Sequence, residues 1–287
     1  MINIYTILKG GLGNQLFTYA TARRLAIKNN SNLILNSNYG FYNDTTFKRN
    51  FELSNFHLTD NIHNNINNNN LSKIQRKFLI IYSNLYKINN RKYILENNNI
   101  KFDDIINLKI YQNVFFEGYW QNEMYFKDIK NILLKELSLK ISLNDENKNL
   151  LNKIKKTNSV CIHIRNYDQN NTSIKNNIPM EYYKNSIFYL ESKFNNLHYY
   201  IFSDSNYLDL NFLNKKSTIV DINLKNNEHF YDLELMKNCN FLILANSTFS
   251  WWAGWLCNHN NVIYPDMKKY NSTSLYNPKM LDSWTMI

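Results

Sequence analysis

The sequence is poor in cysteine and has neither a long apolar run nor a leader-like start, and each lack removes a class of protein. Its three cysteines, Cys161, Cys239 and Cys257, lie in apolar segments with no CxxC pair or other ligand spacing. That argues against a disulfide framework or a thiolate metal site and leaves reduced, packed thiols of the kind a cytosolic protein carries. No apolar stretch approaches the roughly 20 residues that cross a bilayer, so no transmembrane helix is expected. The opening MINIYTILKGG lacks the basic start and long apolar segment of a signal peptide. The expected location is the cytoplasm. A compact arginine-rich patch and a nucleic-acid-binding signature are also missing, so no nucleic-acid partner is expected.

What is present is ample material for a core. With 44% hydrophobic and 15% aromatic residues in 287, the chain can form one large or two medium globular domains. Its formal charge of +10 suits an anionic membrane surface or a polyanionic small substrate. It equally suits a lysine- and asparagine-rich surface that simply stays solvated.

The chain opens with an apolar run, Ile2–Leu8, then KGGLGN at Lys9–Asn14, a helical pattern over Gln15–Lys28, and a second run at Leu33–Leu35. That is the β–loop–α–β start of a parallel sheet. The glycines do not make a dinucleotide site: Leu16 stands where the third glycine of G-x-G-x-x-G belongs, and no acidic residue ends the second strand. Two readings of Gly11 and Gly13 stay open, a ligand-facing loop at a helix N-terminus and a plain tight turn. Residues 37–60 read as a loop and a short strand, and the asparagine run Asn61–Asn70 as a flexible surface segment. Helices are expected over Leu71–Lys87 and Phe126–Lys140. Between them the strand VFFE enters an aromatic, amide-bearing loop at Tyr119, Trp120 and Gln121. Such a loop can stack a sugar ring, or it can be the aromatic end of a core strand.

A charged connector, Asn144–Asn158, leads to a second alternation of strands and helices, and we place the domain boundary near residue 155. The expected architecture is α/β, with doubly wound units over residues 1–155 and 156–287. In the second unit three strand ends carry polar groups. Val160–Arg165 alternates so that His163 and Arg165 share one face, with Asp168 in the following turn. Ser203 and Asp204 end another strand. Asn246, Ser247, Thr248, Phe249 and Ser250 open a helix after a third. Arg165 offers a forked permanent charge for phosphate oxygens, the helix start offers hydroxyls and amides, and Asp204 can accept from a guanine or a ribose. Taken singly, these groups equally suit an internal ion pair, a turn carboxylate and a helix cap. Three coincident strand ends favour a ligand site.

Four blocks in this order resemble the α-1,2-fucosyltransferases, an inverting glycosyltransferase family: GGLGNQ at 10–15, HIRNYD at 163–168, FSDS at 202–205 and DLELMKNCNFLILANSTFSWWAGWL at 232–256. GYWQNEMYFKDI at 118–129 and the tail at 278–284 are similar too, so the resemblance spans nearly the whole chain. The family pattern His-x-Arg-Arg-Gly-Asp-Tyr is broken here by Asn166 and Tyr167, which removes one cation and stiffens the turn. The resemblance implies a GT-B architecture, two Rossmann-like domains facing across a cleft. The C-terminal domain would hold GDP-β-L-fucose and the N-terminal one most of the acceptor. It implies no cofactor and no metal, in keeping with the lack of an Asp-x-Asp sequence. The implied reaction moves L-fucose to the 2-hydroxyl of a terminal β-galactoside in bacterial surface-glycan (O-antigen) synthesis. The acceptor is then a lipid-linked glycan, which would bring the enzyme to the inner face of the plasma membrane as a peripheral protein. Alternatives are another GDP-sugar or linkage, and a non-catalytic carbohydrate- or nucleotide-binding module. Arg165, His163, Asp168 and Asn14 are the expected catalytic residues. Gly11, Gly13, His163, Arg165, Ser203, Asp204 and Asn246 to Ser250 would bind the donor, and Tyr119, Trp120 and Gln121 the acceptor. Glu52, Glu117 and Glu123 are candidates for the general base.

Overall fold

A computed structural model of the chain contains two all-parallel sheets, one in each of two units, Met1–Lys140 and Ile141–Ile287. It describes every residue except 43, 45–47, 60, 61, 65–70, 98, 166–176, 205–212, 214, 215, 225, 227 and 271–277. In the first unit the elements are β1 (Asn3–Ile7), α1 (Leu12–Lys28), β2 (Asn32–Asn36), α2 (Asn38–Tyr42), β3 (Ile62–Asn64), α3 (Lys73–Ser83), β4 (Tyr93–Leu95), α4 (Phe102–Ile106), β5 (Val114–Glu117) and α5 (Lys130–Glu136). The sheet order is β3-β2-β1-β5-β4. In the second unit they are α6 (Asp145–Lys156), β6 (Asn158–Ile164), α7 (Met180–Glu191), β7 (Leu197–Ser203), β8 (Ser217–Val220), α8 (His229–Lys237), β9 (Phe241–Ile243), α9 (Thr248–Leu256), β10 (Val262–Tyr264) and β11 (Thr285–Met286). Their order is β11-β10-β9-β6-β7-β8.

The central strands are apolar along their length because helices cover both faces of a parallel sheet. In β6, every residue from Ser159 to Ile164 is buried, and Val160, Ile162 and Ile164 pack with Tyr182, Tyr183, Ile187, Tyr199 and Ile201 in the second core. The tryptophan-rich block lies in the same unit. Trp251, Trp252 and Trp255 of α9 are fully buried. Gly254 lets Trp284 lie against the helix, since a Cβ there would stand 3.1 Å from the indole. Most of that block is therefore core, and only its first residues reach the strand ends.

Four sequence-based expectations change. The unit boundary falls before the connector helix: α6 buries Ile154 and joins the second unit, which begins at Ile141. Within the asparagine run, Ile62–Asn64 is an edge strand in register with Leu33–Leu35, because backbone pairing on the edge of β2 needs no apolar side chains. Phe126–Lys140 is not one helix but a 3-10 turn at Lys127–Ile129 followed by α5. In place of a short strand within 37–60 there are α2 and a 3-10 turn at Leu53–Asn55.

Candidate active site

Each sheet has a topological switch point beside its first strand, where β1 lies between β2 and β5, and β6 between β7 and β9. The carboxyl ends of strands at such a point frame a crevice that nothing in the sheet fills, and open α/β folds hold their ligands there. In this chain the loops leaving these strands carry the polar residues singled out above.

In the second unit His163, the penultimate residue of β6, is buried. Its Nδ1 is hydrogen-bonded to the Ser250 hydroxyl, and the Tyr183 hydroxyl donates to its carbonyl oxygen (3.2 Å). The Ser250 oxygen also accepts from the Ala245 N–H (3.2 Å). The Ser250 N–H donates to the Ser247 hydroxyl (3.1 Å), which caps α9. The His163 ring lies 5.6 Å from Phe249. One network thus fixes the end of β6 against the start of α9. Burial, reinforced by the nearby Arg165 charge, pushes His163 down to about 3. It is held neutral at physiological pH and is not a cation of this edge.

The cation at this edge is Arg165, whose Nη1 is paired with Asp204 Oδ2 at 2.7 Å. Both side chains stay about a quarter exposed, at 27% and 23%. Asp204, read from the sequence as a nucleoside acceptor, is thus already engaged by the arginine. Ser203 ends β7 in register with Ile164, one residue before Arg165. Asn246 and Ser247 are buried, while Thr248 and Phe249 in the first turn of α9 are partly exposed. The first-turn amides of a helix have no intrahelical acceptor and favour an anion. Asp168 lies outside the described residues, as do Asn166 and Tyr167. Among the described residues, no cluster of three His, Cys, Asp or Glu side chains would hold a metal ion.

The first unit has its own polar edge. Gly10 sits at φ +77°, and a Cβ there would come within 2.7 Å of Asn14 Nδ2. A side chain at position 10 would be strained by the backbone and would displace the Asn14 amide. Gly11 precedes α1 without a side-chain cap, and Gly13 is buried in the first turn. Asn14 Oδ1 accepts from Gln121 Nε2 (3.0 Å), joining the loops after β1 and β5. Sequence reasoning missed the role of Gln15, although it ends the GGLGNQ block. This buried amide donates to the carbonyls of Gly10 (3.0 Å) and Asn50 (2.8 Å), and accepts from the Glu52 N–H (3.0 Å).

Trp120 is not a sugar platform. It is 1% exposed and stacked on Phe116 with centroids 4.5 Å apart and planes 10° apart. It occupies the left-handed region at φ +54°. The Glu96 carboxylate, also missed from sequence, holds the bend by accepting from the N–H groups of Tyr119 (2.6 Å) and Trp120 (3.1 Å). Tyr119 stays partly exposed beneath the Lys9 ammonium, 5.2 Å from the ring centre.

The three base candidates separate. Glu117 is consumed: it pairs with Lys9 (3.0 Å) and Arg76 (2.7 Å) and accepts from the Tyr93 hydroxyl. Burial would raise its carboxyl, but these partners, Lys9 foremost, hold it below the usual range. Glu123 caps no helix and sits in a 3-10 turn with its residue partly exposed. Glu52 is different. Among the described residues its buried Oε2 has no hydrogen-bond partner, and burial, only partly offset by Arg49, pushes the carboxyl up to about 7.

The sequence of the chain matches the family model "Glycosyl transferase family 11" over residues 3–287. The chain belongs to glycosyl transferase family 11. Among family-level relatives, it is 32% identical over 269 residues to an Escherichia coli α-1,2-colitosyltransferase, covering 88% of this chain and 87% of the other. It is 25% identical to the E. coli O-antigen biosynthesis glycosyltransferase WbnK, covering 98% and 99%. Solved structures share the fold at low identity. NodZ α-1,6-fucosyltransferase soaked with GDP-fucose aligns at TM-score 0.54 and 10% identity, covering 97% and 99%. A mutant of Arabidopsis thaliana FUT1 in complex with GDP aligns at 0.51 and 11%, covering 99% and 71%. This family 11 protein is thus a glycosyltransferase with two parallel α/β units of the GT-B class. None of its described helices is long and apolar enough to cross a membrane.

Proposed function

We propose that the protein transfers L-fucose from GDP-β-L-fucose to the 2-hydroxyl of a terminal β-galactoside, with inversion and without a metal, in surface-glycan synthesis. The observation that carries the donor assignment is the His163–Ser250 network, which sets Arg165 and the α9 N-terminus at one switch point. Both ends are positive, and a pyrophosphate leaving group needs its developing charge met there. The second unit then binds the donor and the first unit the acceptor. His163 and Ser250 position; Arg165 leaves Asp204 to contact phosphate. Asp204 then becomes available to the nucleoside.

In the first unit we assign Glu52 as the base that takes the acceptor hydroxyl proton, because its desolvated carboxyl is poised near neutrality. Asn14 and Gln121 then orient acceptor hydroxyls from the same edge. A second reading rests on the relative named α-1,2-colitosyltransferase: the same linkage made with a different GDP-sugar. The test is GDP release from GDP-fucose with EDTA present, with and without lactose. Lactose-dependent release with an α-1,2-linked product supports the assignment. GDP binding without turnover of GDP-fucose, alongside turnover of GDP-colitose, favours the second reading. Absence of GDP binding refutes both.

A further inference from the structure

Helix α3 is attached to the first unit by its polar side. Arg76 donates to Glu117 and to the Tyr93 hydroxyl (3.0 Å), and the buried Ser83 hydroxyl accepts from the Tyr93 N–H (3.0 Å). Arg76 and Ser83 are seven residues apart, on one side of the helix. The opposite side is apolar and faces solvent: Ile74 is 69% exposed, Phe78 68%, Ile81 56%, Tyr82 51%, Leu85 77% and Tyr86 42%. Their spacing of i, i+4, i+7, i+8, i+11 and i+12 forms one continuous stripe along the helix and the turn that follows it. A surface helix of a water-soluble domain has the reverse arrangement, and a contiguous exposed patch of this kind marks an interaction face.

Charge identifies the occupant. Between Asp60 and Glu96 the sequence holds no acidic residue, while Lys73, Arg76, Lys77, Lys87, Arg91 and Lys92 are all basic. Arg76 is spent on Glu117; Lys73 and Lys77 of α3 and Lys87 just after the stripe are exposed. An apolar stripe flanked by lysines matches a bilayer surface, with acyl chains for the first and anionic headgroups for the second. Tyr82 and Tyr86, hydrogen-bonded to each other through their hydroxyls (2.6 Å), are the side chains that favour the headgroup boundary. We propose that the α3 face docks the enzyme on an anionic membrane, lying in the interface and not crossing it. The proposal gives a lipid-linked acceptor a place to meet the enzyme, but does not depend on which sugar is transferred.

The test is co-sedimentation of the full chain with vesicles of phosphatidylglycerol and phosphatidylcholine, and with vesicles of phosphatidylcholine alone. Binding is expected to the mixed vesicles, to weaken with salt, and to fall at least about tenfold in the Phe78→Ser/Leu85→Ser variant. Lys73→Glu with Lys77→Glu should lower it by more than the about fivefold expected for each lost charge. Activity on soluble lactose should be unchanged in both variants. Absence of vesicle binding, or binding that the variants leave intact, overturns the proposal. So does a wild-type dimer that the serine variant converts to a monomer while no vesicle binding is seen, since the stripe would then be a contact between copies. Vesicle binding without turnover of lactose would count against the proposed donor and acceptor and leave the docking face standing.

Discussion

Glu52→Gln tests the catalytic proposal and its physical basis in a single variant. The carboxyl is pushed from its usual 4.5 up to about 7 by burial. Below about pH 4.5 the side chain is neutral in both folded and unfolded chains, and its burial costs nothing extra. As the pH rises from there the unfolded chain ionises first, so the native state binds more protons and stability falls until about pH 7. At about 1.4 kcal/mol per tenfold difference, the accumulated cost above pH 7 is roughly 3 kcal/mol. Glutamine keeps the shape and cannot ionise. The variant should therefore be more stable than wild type by up to about 3 kcal/mol at about pH 8, and nearly equal to it at about pH 4, by urea denaturation. Asp232, buried beside Asn223 and raised to about 7 as well, is common to both proteins and cancels in the difference. Activity should move the other way. Wild-type GDP release should rise through about pH 7 as the base deprotonates, and Glu52→Gln should lose about 10²–10⁴ in kcat with little change in KM for the GDP-sugar. A variant that keeps more than about a tenth of wild-type kcat refutes the base assignment. Stability curves that do not separate with pH refute the desolvation on which it rests.

Three further outcomes are expected. Arg165→Ala should lose about 10²–10³ in kcat and bind GDP more weakly, with unchanged circular dichroism; near-normal turnover would remove the arginine from the leaving-group role. Ser250→Ala leaves His163 and the Ala245 N–H without their shared partner, which should lower stability by about 1–3 kcal/mol in urea. Because His163 is held neutral, with its pKa near 3 against the usual 6.5, its own contribution to stability should fall as the pH drops from 6.5 toward 3. That is opposite in sign to those of Glu52 and Asp232, and is read as the wild type losing stability relative to His163→Gln over that range. Glu117→Gln removes the one carboxylate shared by Lys9, Arg76 and Tyr93. It should cost about 3 kcal/mol, and a loss under about 1 kcal/mol would show that solvent already screens the cations.

Much of this protein is determined by local pattern. The alternation in Val160–Arg165, the βα order and the glycine block all act over a few residues. Period and turn chemistry therefore sufficed to place the central strands and the residues at their ends, but not the edge strands β3, β4 and β11, which backbone pairing with a neighbour defines. The polar start of α9 was legible for the same reason: Asn246 to Ser250 cap a helix, and a cap is a local device. What tertiary structure decided is which of two equally apolar or equally polar faces meets which neighbour. Tyr119 and Trp120 are adjacent aromatics, yet only packing on Phe116 and the carboxylate of Glu96 turn Trp120 into the core. Glu52 and Glu117 are the same residue type; three partners 24 to 108 positions distant fix one as an anion, and burial that Arg49 only partly offsets pushes the other up to about 7. In α3 the apolar stripe would by itself be read as the buried side, and the long-range bonds of Arg76 and Ser83 hold the polar side inward and turn the stripe outward. Pairings of this kind join residues far apart in the chain, so no window of sequence contains them.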